Sequence, residues 1–102
     1  MTQGTTPTVK LHLNGTEADL TDAARVRVIF SQGDQVLKVD GPGPRVEVEP
    51  NTVTVTLTQE ETLLFSPGTL MVQVRWTLED GTTAATLVTT MRVHRTLDKE
   101  IL

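Results

Sequence analysis

The residues of this chain that could do chemistry are its thirteen carboxylates, its two histidines and its only serines, Ser31 and Ser66. Glu60-Glu61, Glu47/Glu49 and Glu79-Asp80 are the candidate acid/base pairs. Glycoside hydrolysis needs two carboxyls facing across a cleft, one with a raised pKa. Glu47 and Glu49 point the same way from a strand, but no pocket-forming segment accompanies them. Glu61 and Asp80 have capping and turn roles, given below. His12 and His94 would ligate a metal only if the first and last strands met, and no clear third ligand goes with them. Both serines lie in turns, outside any nucleophile-elbow pattern. Phosphate loops, dinucleotide fingerprints and calcium loops are absent, and without cysteine neither a disulfide nor a thiolate metal site is available. The reading is a non-enzymatic protein with no catalytic residue, cofactor, metal or small-molecule substrate.

The elements that would position any site are strands. In Thr52-Val53-Thr54-Val55-Thr56-Leu57-Thr58 apolar residues alternate with threonine. Successive strand side chains point to opposite faces, so Val53, Val55 and Leu57 are assigned to a core. The same alternation marks Val9–Leu13, Arg25–Phe30, Gln35–Val39, Arg45–Glu49 and Leu70–Leu78, the last with Val72, Val74 and Trp76 inward. A returning strand is read over Thr83–Val93, with Leu87, Met91 and Val93 on one face and Val88 breaking the polar pattern of the other.

Turn signals separate these runs. They are Asn14-Gly15, Gln32-Gly33-Asp34, the corner Gly41-Pro42-Gly43-Pro44, Pro50-Asn51 and Glu79-Asp80-Gly81-Thr82. Glu17 to Asp22 reads as a polar connection anchored by Leu20. At Thr58-Gln59-Glu60-Glu61 the period changes, and the spacing matches a capping box. One or two helical turns over residues 59–64 are expected to cross between sheets, with Phe65 and one leucine plugging the end of the core.

These signals predict an all-β fold: an antiparallel immunoglobulin-like β-sandwich of about seven strands with one short helical turn near residues 59–64. Trp76 is given the place of the buried tryptophan in such sandwiches, and the predicted core includes Val53, Val55, Leu57, Phe65, Val74 and Trp76. Residues 1–8 read as an extended arm, 9–96 as a single domain and 97–102 as an amphipathic tail.

Composition narrows the partners. The net charge is −4, the arginines are scattered, and aromatic residues make up only 3%. Nucleic-acid binders show a basic face, and single-strand binders stack bases on exposed rings, so no nucleic-acid partner is read. No apolar run reaches the length of a membrane span. The N-terminus lacks the basic and apolar regions of a secretion signal.

Gln3-Gly4-Thr5-Thr6-Pro7-Thr8, Val55-Thr56-Leu57-Thr58-Gln59-Glu60-Glu61-Thr62, Phe65 with Pro67-Gly68, Trp76 before Asp80-Gly81, and Leu97-Asp98-Lys99-Glu100-Ile101-Leu102 together carry a resemblance. The chain resembles short proteins encoded in tail-gene regions of prophages of Gram-positive bacteria. More distantly, it is similar to the N-terminal domain of phage baseplate upper proteins. The resemblance implies a structural part of a phage tail or baseplate, assembled in the host cytoplasm and carried in the virion. It implies other tail or baseplate proteins as partners, self-association included, and brings no catalytic residues with it.

The interface residues inferred on this basis are Gln3, Gly4, Thr5, Thr6, Pro7, Leu97, Ile101 and Leu102, beside an open sheet edge. The two ends are expected to order on assembly, so that deleting residues 1–7 spares folding. The alternative reading is a receptor- or carbohydrate-binding sandwich for host recognition; a generic immunoglobulin-like adhesion module is a third.

Overall fold

Alternation along the chain folds into two antiparallel sheets. A computed structural model describes residues 1–13, 20–86 and 88–102, and the backbone alone at Asp22. The expected turn at Asn14-Gly15, the connection from Glu17 to Asp19, and Leu87 lie outside the described residues. Strands β1 (Thr8–His12), β5 (Thr52–Thr56) and β4 (Val46–Glu49) form one sheet in the order β1-β5-β4. Strands β2 (Ala23–Gln32), β3 (Gln35–Gly41) and β6 (Gly68–Leu78) form the other with β7 (Thr83–Ala85) and β8 (Thr89–Val93). Its order is β3-β2-β6, with β7 and β8 both on the far side of β6. A single 3-10 turn, Leu20–Asp22, precedes β2.

The order of the described strands matches an immunoglobulin sandwich from its second strand onward. There one sheet runs A-B-E-D and the variable type extends the other to G-F-C-C′. Here β1-β5-β4 takes the places of B-E-D, and β3-β2-β6-β8 those of C′-C-F-G. On this mapping the immunoglobulin tryptophan belongs to β2. Trp76 instead stands on β6, directly opposite Val26, and fills the core from the neighbouring strand.

The core is the set of inward residues of both sheets. Val53, Val55, Leu57, Phe65, Val74 and Trp76 are all buried, together with Val26, Val28, Phe30 and Leu70. One side of the sandwich is closed by the 41–45 corner, where Gly43 and Val46 exchange backbone hydrogen bonds of 3.0 and 3.2 Å. A Cβ on Gly41 would lie 2.5 Å from that of Val46, so this close approach admits only glycine. The Asp80-Gly81 turn joins β6 to β7, with Gly81 at φ 90° and the Asp80 carboxylate accepting the Thr82 N–H at 2.8 Å.

The return after that turn is two strands, not the single one expected. Three residues, 86–88, separate β7 from β8, whereas β6 advances by only two, Gln73 and Val74. This is a bulge, and Thr86 builds it. Its N–H donates to Val74 O (2.9 Å), while its hydroxyl accepts the Val74 N–H at 3.1 Å in place of a backbone carbonyl. One extra residue reverses the alternation. Ala84 and Thr89 therefore share a face, being paired with Trp76 and Val72.

Helix α1 (Gln59–Leu63) carries the chain from β5 to β6 across the end of the sandwich. Thr58 and Glu61 form the expected capping box: the Thr58 hydroxyl accepts the Glu61 N–H, and the Glu61 carboxylate accepts the Thr58 N–H. Arg45 pairs with the same carboxylate. Phe65 is buried, Leu63 half-buried and Leu64 exposed.

Trp76 is only 6% exposed, and its removal leaves a large cavity. Trp76→Ala is expected to lose about 3–5 kcal/mol in denaturant unfolding. A loss below about 1 kcal/mol would place the indole outside the core.

Candidate functional site

Helix α1 is the hub on which the two ends of the chain meet. Gln3, in a polar run, is 3% exposed. Its side-chain Nε2 donates to Phe65 O (2.6 Å), its Oε1 accepts the Thr96 N–H (3.2 Å), and its backbone N–H donates to His94 O (3.0 Å). Thr2 forms a parallel bridge with His94, whose N–H donates to Met1 O at 2.7 Å. Thr62, fully buried, accepts the Gly4 N–H (2.9 Å) on its hydroxyl, which also lies 3.1 Å from Thr5 O. Pro7 O accepts the Leu57 N–H at 3.1 Å.

The arm expected to be extended and to order on assembly is therefore docked on its own domain, and Gln3 is a structural residue inaccessible to a partner. The physical reason is that one amide satisfies a donor and an acceptor from segments that would otherwise leave them buried and unpaired.

The C-terminal tail is pinned to the same hub without regular structure. Gln59 grips the Leu102 backbone, accepting its N–H (2.8 Å) and donating to its O (3.4 Å). Asp98 accepts the Glu100 N–H at 2.9 Å. Gly4 lies beside Leu63, Thr96 and Asp98. The inferred interface residues thus converge, but they divide. Gln3 faces inward, whereas Leu97, Ile101 and Leu102 are 102%, 50% and 95% exposed. Gly4 and Pro7 are half-buried, and Thr5 and Thr6 are exposed.

The open edge is β1, which among the described residues pairs only with β5. The bonds from Leu57 N–H to Pro7 O and from Leu13 N–H to Asn51 O set the phase. Residues 7, 9, 11 and 13 turn their backbone groups to β5, and Thr8, Lys10 and His12 turn theirs to the bare edge. Between β1 and the bulge a cleft of about 790 Å³ opens, with Val9, Leu11, Val74, Val88 and Met91 among its walls. It opens where, among the described residues, no strand covers β1 and the β7 and β8 ladders part on β6.

The outer face of the five-stranded sheet carries Arg25, Arg27, Lys38, Arg75 and Arg92, which sequence spacing had left scattered. Asp40 is the only carboxylate on the strands of this sheet. Arg27 grips it through Nε (2.6 Å) and Nη2 (3.2 Å), with Arg25 at 3.7 Å. The hydrogen bond from Arg27 holds the Asp40 carboxyl below the ordinary carboxylate range, and the same bond raises Arg27.

His12 and His94 belong to no group of three metal-ligating side chains among the described residues. Glu47 and Glu49 are exposed side by side on β4. Among the described residues, no helix is long and apolar enough to cross a membrane. No protein-family model matches the chain, and no curated protein sequence does.

Gln3→Ala strands Phe65 O and the Thr96 N–H and is expected to lose about 1–3 kcal/mol of stability in denaturant unfolding. Gln3→Glu, which cannot donate to Phe65 O and buries a charge, should lose more. Deletion of residues 1–7 should destabilise rather than spare the fold. For Asp40 the folded pKa is lowered, so its contribution is present above about pH 4 and is lost as pH falls through the folded value. Unfolding measured from pH 7 to 2.5 should show wild type more stable than Asp40→Asn by a constant small margin at neutral pH, which closes in acid.

Proposed function

We propose that this protein is a non-enzymatic structural module of a phage tail or baseplate, acting through protein–protein contacts. The observation that carries the reading is the terminal hub. Of the seven large hydrophobic side chains exposed among the described residues, four (Leu64, Leu97, Ile101 and Leu102) lie on the end of α1 or on the tail attached to it. Apolar side chains held outward in this way suit a partner surface. The bare edge of β1 and its cleft offer a second contact, to an extended segment of a neighbouring subunit that adds a strand. The resemblance of the Leu57–Thr62 segment and the two ends to prophage tail-region proteins supplies the context. A glycan-binding reading is less supported, because Phe30, Phe65 and Trp76 are all buried and leave no exposed ring as a platform.

The test is mass spectrometry of tail particles induced from a host carrying the gene. The protein is expected in the particles at stoichiometric level, and Leu97→Asp/Ile101→Asp should fold normally, within about 0.5 kcal/mol of wild type, yet be lost from them. Absence of the wild-type protein from particles would overturn the proposal.

A further inference from the structure

Arg27 on β2 and Arg75 on β6 stand directly opposite each other. Like charges in that position destabilise a sheet. Register extends the row: Asp40, Arg27, Arg75 and Ala85 lie side by side across four strands. Asp40 neutralises its neighbour Arg27, whereas Ala85 offers nothing to Arg75. Among the described residues the Arg75 guanidinium has neither an ion-pair nor a hydrogen-bond partner. In the next row Arg25 faces Thr77, and Thr77 faces Thr83. The two threonine hydroxyls are 3.2 Å apart. Only one of them donates within that pair, so the other keeps a proton to give. These groups surround a hollow of about 200 Å³.

We propose that Arg25, Arg27 and Arg75, with the Thr77–Thr83 hydroxyl pair, form a carboxylate-accepting site that docks an acidic side chain of a partner protein; this rests on the assembly reading above. The fork of Arg27 on Asp40 shows the geometry such a group takes on this surface, and Arg75 has the same fork free. A carboxylate from outside would relieve the repulsion between the opposed arginines, so the site is built to gain from being filled.

The composition of this face favours an acidic protein over a nucleic acid. The same face carries Ile29 in the row next to Arg27 and Arg75, and Met71 and Val36 one row further on, 45% and 49% exposed. Arginine and methionine around apolar side chains are the composition of a protein interface.

The test is a titration of the full chain at low salt with hexaglutamate, hexaglutamine and a single-stranded DNA hexamer, followed at the arginine Nε–H signals by NMR. Hexaglutamate is expected to move the Arg75 signal, with affinity falling about tenfold or more in Arg75→Gln and in Arg25→Gln and by less than twofold in Lys99→Gln. Arg75→Gln should keep the wild-type amide spectrum, because its side chain is exposed. Equal affinity in wild type and Arg75→Gln, no binding of hexaglutamate, or tighter binding of the DNA hexamer would each overturn the proposal. Particle incorporation of Arg75→Gln separates the two readings: normal incorporation without peptide binding sinks this site for assembly and leaves the module's place in the tail standing.

Discussion

One buried amide holds the ends of this molecule together. The Gln3 side chain bonds to Phe65 O and to the Thr96 N–H, residues 62 and 93 positions away along the chain. An amide can donate and accept at once, and in a site from which water is excluded each bond left unmade is costly. Together with Thr62, which accepts the Gly4 N–H, and Gln59, which holds Leu102, that side chain fixes the path of the N-terminal segment over α1 and of the C-terminal segment beside it. The outward direction of Leu97, Ile101 and Leu102 follows from where those segments are pinned. The terminal surface is thus a product of the core's polar bookkeeping rather than of any local propensity.

The rest of the surface is shaped by what the sandwich lacks. A full strand A would cover the edge of β1; among the described residues only Thr2 takes up that course, bridging in parallel to His94. The opposite side is sealed by the 41–45 corner, with Gly41 against Val46. On the open side, Thr86 substitutes its hydroxyl for a backbone acceptor and splits the returning strand. A closed side, an open side and an arginine-bearing outer sheet give three different surfaces on one small scaffold.

Much of the fold was legible in the residues because its determinants are local. Alternation in Thr52–Thr58 and Leu70–Leu78 identified the inward residues. The Thr58–Glu61 capping box and the Asp80-Gly81 turn each depend on side chains within three positions of one another. What escaped depends on partners remote in sequence. Gln3 in a polar run carries no pattern that distinguishes it from a solvated glutamine. The bulge at Thr86 shows in the sequence only as Val88 standing out of pattern, which does not specify an extra residue. The opposition of Arg27 and Arg75 exists only once the register of β2 on β6 is known, and the place of Trp76's strand within the sandwich only once the sheet order is.

The most direct measurement of the terminal hub is native-state amide hydrogen exchange on the isolated protein, free of any partner. If Gln3 organises both ends within one chain, the amides of Gln3, Gly4, His94 and Thr96 exchange slowly, with protection close to that of β2 and β6. Exchange of those four amides at unprotected rates, while the sheets remain protected, would contradict the account and return the N-terminal segment to an arm that orders only on assembly.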